Sequence, residues 1–173
     1  MKTRILLLIL FSSFFYGSLF SQTTNFALRF YGDGKVDCGT ISDLYNLELY
    51  SVQCLVKPSE WVENAYVFKR GNGDEEYSLR FGTSGQLIYK TATQEFIVAN
   101  DLPIGSWTQL TISAFANGID VWTNGEKKWI ANTGGAVIPE TSEPFVIGEN
   151  FKGRIDEFRF WKTEMPGAEP ENL

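Results

Sequence analysis

The sequence predicts an all-β fold of antiparallel strands, closed as a sandwich or a barrel. Three observations carry that expectation. No long segment repeats its apolar residues at helical spacing. Short runs rich in Val, Ile, Phe and Tyr recur instead, the composition that suits a pleated, half-buried surface. Turn-forming Gly, Asn, Asp and Pro separate these runs at intervals of roughly 8–12 residues, the spacing of all-β sandwiches and barrels.

Taken in order, Asn25–Tyr31 places Phe26, Leu28 and Phe30 on one side and turns at Gly32-Asp33-Gly34. Glu48–Lys57 is closed by Pro58, and Ala65–Lys69 runs into Gly71-Asn72-Gly73-Asp74. Tyr77, Leu79 and Phe81 alternate with Ser78 and Arg80, and Gly82–Gly85 turns that run back into Gln86–Lys90 as a hairpin. Glu95–Ala99 precedes a loop at Asp101–Gly105. Trp107–Phe115 puts Leu110, Ile112 and Ala114 on one face, and Asn117-Gly118 turns into Ile119–Thr123. Asn124-Gly125 is the strongest two-residue hairpin signal and leads to Lys127–Ala131. Phe145–Gly148 and Gly153–Trp161 complete the set.

The first 21 residues stand apart. Lys2 and Arg4 precede an apolar run too short for a membrane anchor, which marks 1–21 as a secretory signal. Residues 22–165 then form one domain, and 166–173, with Pro166 and Pro170, form a short tail. The expected location is extracellular or at the cell surface. The whole chain carries a formal charge of −6, so loss of Lys2 and Arg4 leaves −8. Such an acidic chain without a basic run is a poor partner for nucleic acid or anionic lipid, and no membrane insertion is expected. Export permits a disulfide between the only two cysteines, Cys38 and Cys54; two small buried side chains in neighbouring strands is the alternative. With no histidine, Ser-His and Cys-His dyads and Cys/His zinc sites are excluded.

Asp156 breaks the pattern of the last strand. Strict alternation puts it on the face of Phe158 and Phe160. An unpaired buried carboxylate is costly, so Asp156 needs a cation, backbone N–H donors, or a bulge that turns it outward.

Four stretches in order resemble the laminin-G-like jelly rolls of the concanavalin A-like lectin and glucanase superfamily. They are Ala27–Gly34 with Val36-Asp37-Cys38-Gly39; Ser51–Pro58; Gly105-Ser106-Trp107-Thr108 paired with Val121–Gly125; and Gly153–Trp161. The resemblance spans roughly residues 26–165. It implies an antiparallel two-sheet jelly-roll sandwich, with Trp107 in its core. It also implies a calcium site in which Asp156 lies near backbone carbonyls of the first turn, around Gly32 and Asp33, as calcium takes six to eight oxygens. Tyr31 stands where the family carries an aspartate, which thins the acids near that turn.

Trp61, Tyr66, Trp122 and Trp129 are the aromatics read as ligand-binding, able to bury the apolar face of a sugar ring. Trp122 and Trp129, on either side of Asn124-Gly125, are expected as cross-strand neighbours. The Glu-x-Asp-x-Glu pattern of glycosidases on this fold is absent, so no enzyme is expected. The expected function is a secreted, monomeric binding module for a glycan or polysaccharide. An extracellular protein-binding or adhesion module, and a degenerate glycosidase-like domain, are the alternatives.

Overall fold

The computed structural model describes residues 26–92, 94–132 and 136–164, side chains of 128–132 excepted. The expected signal segment 1–21 and the tail 166–173 lie outside the described residues. Among those residues no helix is long and apolar enough to cross a membrane.

Among the described residues, twelve strands form two antiparallel sheets. They are β1 Leu28–Tyr31, β2 Val36–Asp37, β3 Tyr50–Pro58, β4 Tyr66–Arg70, β5 Tyr77–Phe81, β6 Leu87–Thr91, β7 Gln94–Ala99, β8 Thr108–Phe115, β9 Gly118–Thr123, β10 Glu126–Asn132, β11 Val146–Ile147 and β12 Lys152–Trp161. The first sheet has the order β1-β12-β3-β8-β9-β10, the second β2-β11-β4-β5-β6-β7. The last strand lies between the first and third, a non-local pairing that closes the jelly roll.

The alternation read from the sequence sorts the faces. Val52, Cys54, Val56, Leu110, Ile112 and Val121 of the first sheet face Phe68, Tyr77, Leu79, Phe81, Leu87 and Tyr89 of the second, all buried. Asn124 and Gly125 have φ of 51° and 75°, as a two-residue hairpin of the right twist requires. Gly148 is needed for two reasons. Its φ is +79°, and a Cβ there would lie 2.1 Å from the Phe30 ring.

Phe26 and Leu28 do not join the core in the way their phase suggests. Leu28 opposes the buried Ile155, yet β1 is an edge strand and Leu28 stays 52% exposed. The two cysteines are free: Cys54 faces the core of the first sheet, while Cys38 follows β2 of the second and is exposed. Neither sequence alternative holds: no bond joins the two thiols, and Cys38 is neither buried nor in a strand neighbouring that of Cys54.

Candidate functional site

The anomaly at Asp156 is resolved by backbone geometry. Asp156 opposes Leu55, but the next paired residue on β12 is Arg159, opposite Gln53. Three steps on β12 therefore match two on β3, a one-residue bulge. Glu157, at φ +49°, is the extra residue. The bulge resets the phase. Before it Ile155 points inward and Asp156 outward. After it Phe158 and Phe160 return to the core side, where Phe160 stacks on Tyr50. The Glu157 N–H donates to Asp156 Oδ1 at 2.8 Å.

This geometry corrects the expected metal site. Lys152 opposes Tyr31, so the turn containing Gly32 and Asp33 sits at the start of β12. Asp156 is four residues further along, about 13 Å at the rise of an extended strand. The stem of Lys152 lies against Gly32, where a Cβ would meet Lys152 Cε at 2.9 Å. The ammonium of Lys152 is paired with Glu60. Glu149 is likewise engaged, by Lys35 at 3.1 Å and Lys69 at 3.6 Å. Among the described residues no group of three metal-ligating side chains exists. Asp156, Gly32 and Asp33 thus do not fit a shared calcium ion.

The same end of the first sheet carries a cleft of about 350 Å³, within the range of ligand sites. Arg29, Tyr31, Lys57, Ser59, Gly105, Lys152 and Arg154 are among its lining. Strand register explains why they meet. Arg29 opposes Arg154, and Arg154 opposes Lys57. On β12 and β3 their neighbours Ile155 and Val56 are buried, so Arg154 and Lys57 face outward. The β3–β8 ladder pairs Val56 with Thr108, and one further step places Trp107 beside Lys57. One outward row thus reads Arg29, Arg154, Lys57, Trp107 across four strand positions, about 14 Å at the usual strand spacing. Tyr31 is 65% exposed, with the Arg29 guanidinium 4.8 Å from its ring centroid. Loops fix the rim: the Gly105 N–H donates to Pro58 O at 2.7 Å, and the Ser59 N–H to Lys152 O at 2.9 Å.

The predicted aromatics separate in space. Trp61 belongs to the loop that follows Pro58 but is not among the residues that line the cleft. It is 40% exposed, its indole N–H donates to Leu102 O at 2.9 Å, and its ring lies against Gly85. Tyr66 is half-buried at the start of β4 in the other sheet, with Lys69 Nζ 4.8 Å from its ring centroid. Trp122 faces outward as expected but is only 5% exposed. Lys127 opposes it in register and lies 4.9 Å over its ring. Trp122 therefore presents no open stacking face. Trp129 opposes Val121, because the β9–β10 ladder shifts register between Lys127 and Trp129, so it is not the partner of Trp122. Trp107, assigned to the core from the sequence, is 39% exposed; it sits in phase with outward Lys57 rather than with buried Thr108. Sequence reasoning missed Arg29, Lys57 and Arg154 as a group. Each is legible as an outward position, but their neighbourhood depends on pairing between strands far apart in the chain.

Neither thiol is an activated nucleophile. Burial pushes the Cys54 thiol up to about 12, and burial with the Asp37 carboxylate raises that of Cys38.

Strand order and closure define a jelly-roll sandwich with a cleft at one end. The chain belongs to the concanavalin A-like lectin/glucanases superfamily, whose family model matches residues 30–169. Solved structures share the fold. Domain 4 of an extracellular arabinanase from Geobacillus stearothermophilus, in complex with arabinotriose, matches at 22% identity over 82% of this chain and 73% of that one, with a TM-score of 0.69. The CBM40 domain of a Ruminococcus gnavus sialidase matches at 11% identity over 82% and 92%, TM-score 0.68. A pentraxin from Limulus polyphemus matches at 14% identity over 77% of each chain, TM-score 0.54. At these identities the likeness is one of fold. No protein of curated function matches the sequence.

Proposed function

We propose that this protein is a secreted, non-catalytic module that binds a saccharide at the end of the first sheet. One observation carries the reading: exposed Tyr31 lines a cleft of about 350 Å³ together with the polar Arg29, Lys57, Ser59, Lys152 and Arg154, and exposed Trp107 lies one ladder step beyond β8 beside Lys57. That combination matches sugar, since ring faces cover apolar C–H surface while flanking polar groups take the hydroxyls. An arabinotriose complex and a sialyllactose complex exist for proteins of this fold, which supports the reading. Secretion rests on the signal pattern of residues 1–21. The reading is non-catalytic because the described lining residues carry no carboxylate, and nearby Glu60 is engaged by Lys152. It is also calcium-independent at the first turn, since Asp156 lies too far along β12 to share an ion with Gly32 and Asp33 and lysines engage Glu149 and Glu60.

A glycan array probed with calcium and with chelator tests it. The expected result is a defined set of bound glycans, unchanged by chelation. Binding to no glycan under either condition refutes the saccharide reading.

A further inference from the structure

The cleft concentrates positive charge in an acidic protein. Two of the fifteen Lys and Arg lie in the first 21 residues; of the rest, Arg29, Lys57, Lys152 and Arg154 line this one cleft. Three of them form the row in which Arg29 faces Arg154 and Arg154 faces Lys57. Like charges directly opposite in an antiparallel pair destabilise a sheet. Proteins usually offset such contacts with interleaved acids, as this chain does elsewhere with Arg80–Glu95 and Lys127–Asp120. Here none is supplied. Among the described residues no carboxylate pairs with Arg29, Lys57 or Arg154. The outward acid next along β12, Asp156, accepts the N–H of Glu157 instead. Lys152 alone has a partner, Glu60. The guanidinium groups carry planar donor forks suited to bidentate contact with an oxyanion. Aromatics close the row at both ends, Tyr31 beside Arg29 and Trp107 beside Lys57.

We propose that the cleft selects anionic saccharides, chains whose sugar units carry carboxylate or sulfate groups. The inference rests on the saccharide reading and narrows it. Arg29, Arg154 and Lys57 take the anionic groups, and Trp107 and Tyr31 take the sugar faces. The unbalanced cations leave the unbound sheet less stable than it could be, the usual exchange of stability for function at a binding site.

The test is calorimetric titration of the purified protein with a polyuronate, the same polymer after carboxyl reduction, a sulfated galactan and inorganic polyphosphate. Polyuronate or sulfated galactan is expected to bind at least about tenfold tighter than the reduced polymer, with affinity falling as salt rises. The polyuronate and galactan arms show which anionic group is preferred. Arg154→Gln is expected to weaken binding about tenfold, and Arg154→Lys to restore part of it. Arg154→Gln is also expected to raise the melting temperature of the free protein, which separates loss of binding from loss of fold. Equal binding of the charged and reduced polymers overturns the inference and leaves the saccharide reading standing. So does binding confined to neutral glycans on the array. Polyphosphate bound as tightly as the polyuronate overturns selectivity for a saccharide. If no glycan of any kind binds, both readings fall.

Discussion

Replacing Asp156 by alanine separates two accounts of the last strand. In the structure its carboxylate holds the N–H of Glu157 at the bulge, and nothing more. A half-exposed bond to a charged acceptor contributes about 1 kcal/mol. For a domain of this size that corresponds to a melting temperature about 4 °C lower. Asp156→Asn keeps an oxygen acceptor at the same place and is expected to recover most of the loss. Glu157→Gly relieves a left-handed backbone that costs about 1 kcal/mol, and is expected to raise stability despite losing the pairing of Glu157 with Arg159. Thermal unfolding followed by circular dichroism, with calcium and with chelator, is the assay. A calcium ion held at Asp156 and present at a hundred times its dissociation constant would add about 2.7 kcal/mol, or about 11 °C. The expected calcium shift is none, for parent and variants alike. A calcium-dependent rise in the parent that Asp156→Ala abolishes refutes the bulge account, as does an Asp156→Asn protein as unstable as Asp156→Ala.

Three further outcomes follow from the core. The Tyr50 hydroxyl is bonded to the Tyr89 hydroxyl and to Ala136 O at 2.8 Å, all buried; Tyr50→Phe is expected to cost about 1–3 kcal/mol in urea unfolding. Burial holds Tyr50, Tyr77 and Tyr89 neutral to well above the ordinary 10.0. The folded state then keeps protons that the unfolded state releases, so stability is intact below pH 10 and is lost as pH rises above it; a stability that rises between pH 10 and 11 contradicts this. Gly148→Ala puts a Cβ 2.1 Å from the Phe30 ring at φ +79° and is expected to cost about 3 kcal/mol, measured by denaturant titration.

Much of the fold could be read from turn chemistry. Asn124-Gly125 and the alternation of Tyr77, Leu79 and Phe81 place their strands to within a residue or two, because local dihedral and packing preferences agree there. The two-residue β2 escaped notice, being too short to show a period. The bulge at Glu157 showed only as the broken phase at Asp156, which left a cation, backbone N–H donors and a bulge all open. The non-glycine residue in the left-handed region is held there by pairing with β3 before and after it, which strict alternation along β12 alone does not reveal. Trp107 was misplaced because it lies one residue outside β8, where phase is counted from the ladder and not from the motif. The site itself was only half legible. Trp107 stood out within its motif, whereas the row from Arg29 through Arg154 to Lys57 joins residues 28 to 125 positions apart in the chain.

The central claim is that the end of the first sheet, and not the second sheet, receives the saccharide. Titration of one array-identified glycan into the parent, Trp107→Ala and Tyr66→Ala proteins measures it most directly. Trp107→Ala is expected to lose about tenfold or more in affinity, and Tyr66→Ala to stay within about twofold of the parent. A Tyr66→Ala protein that loses binding while Trp107→Ala keeps it contradicts the account.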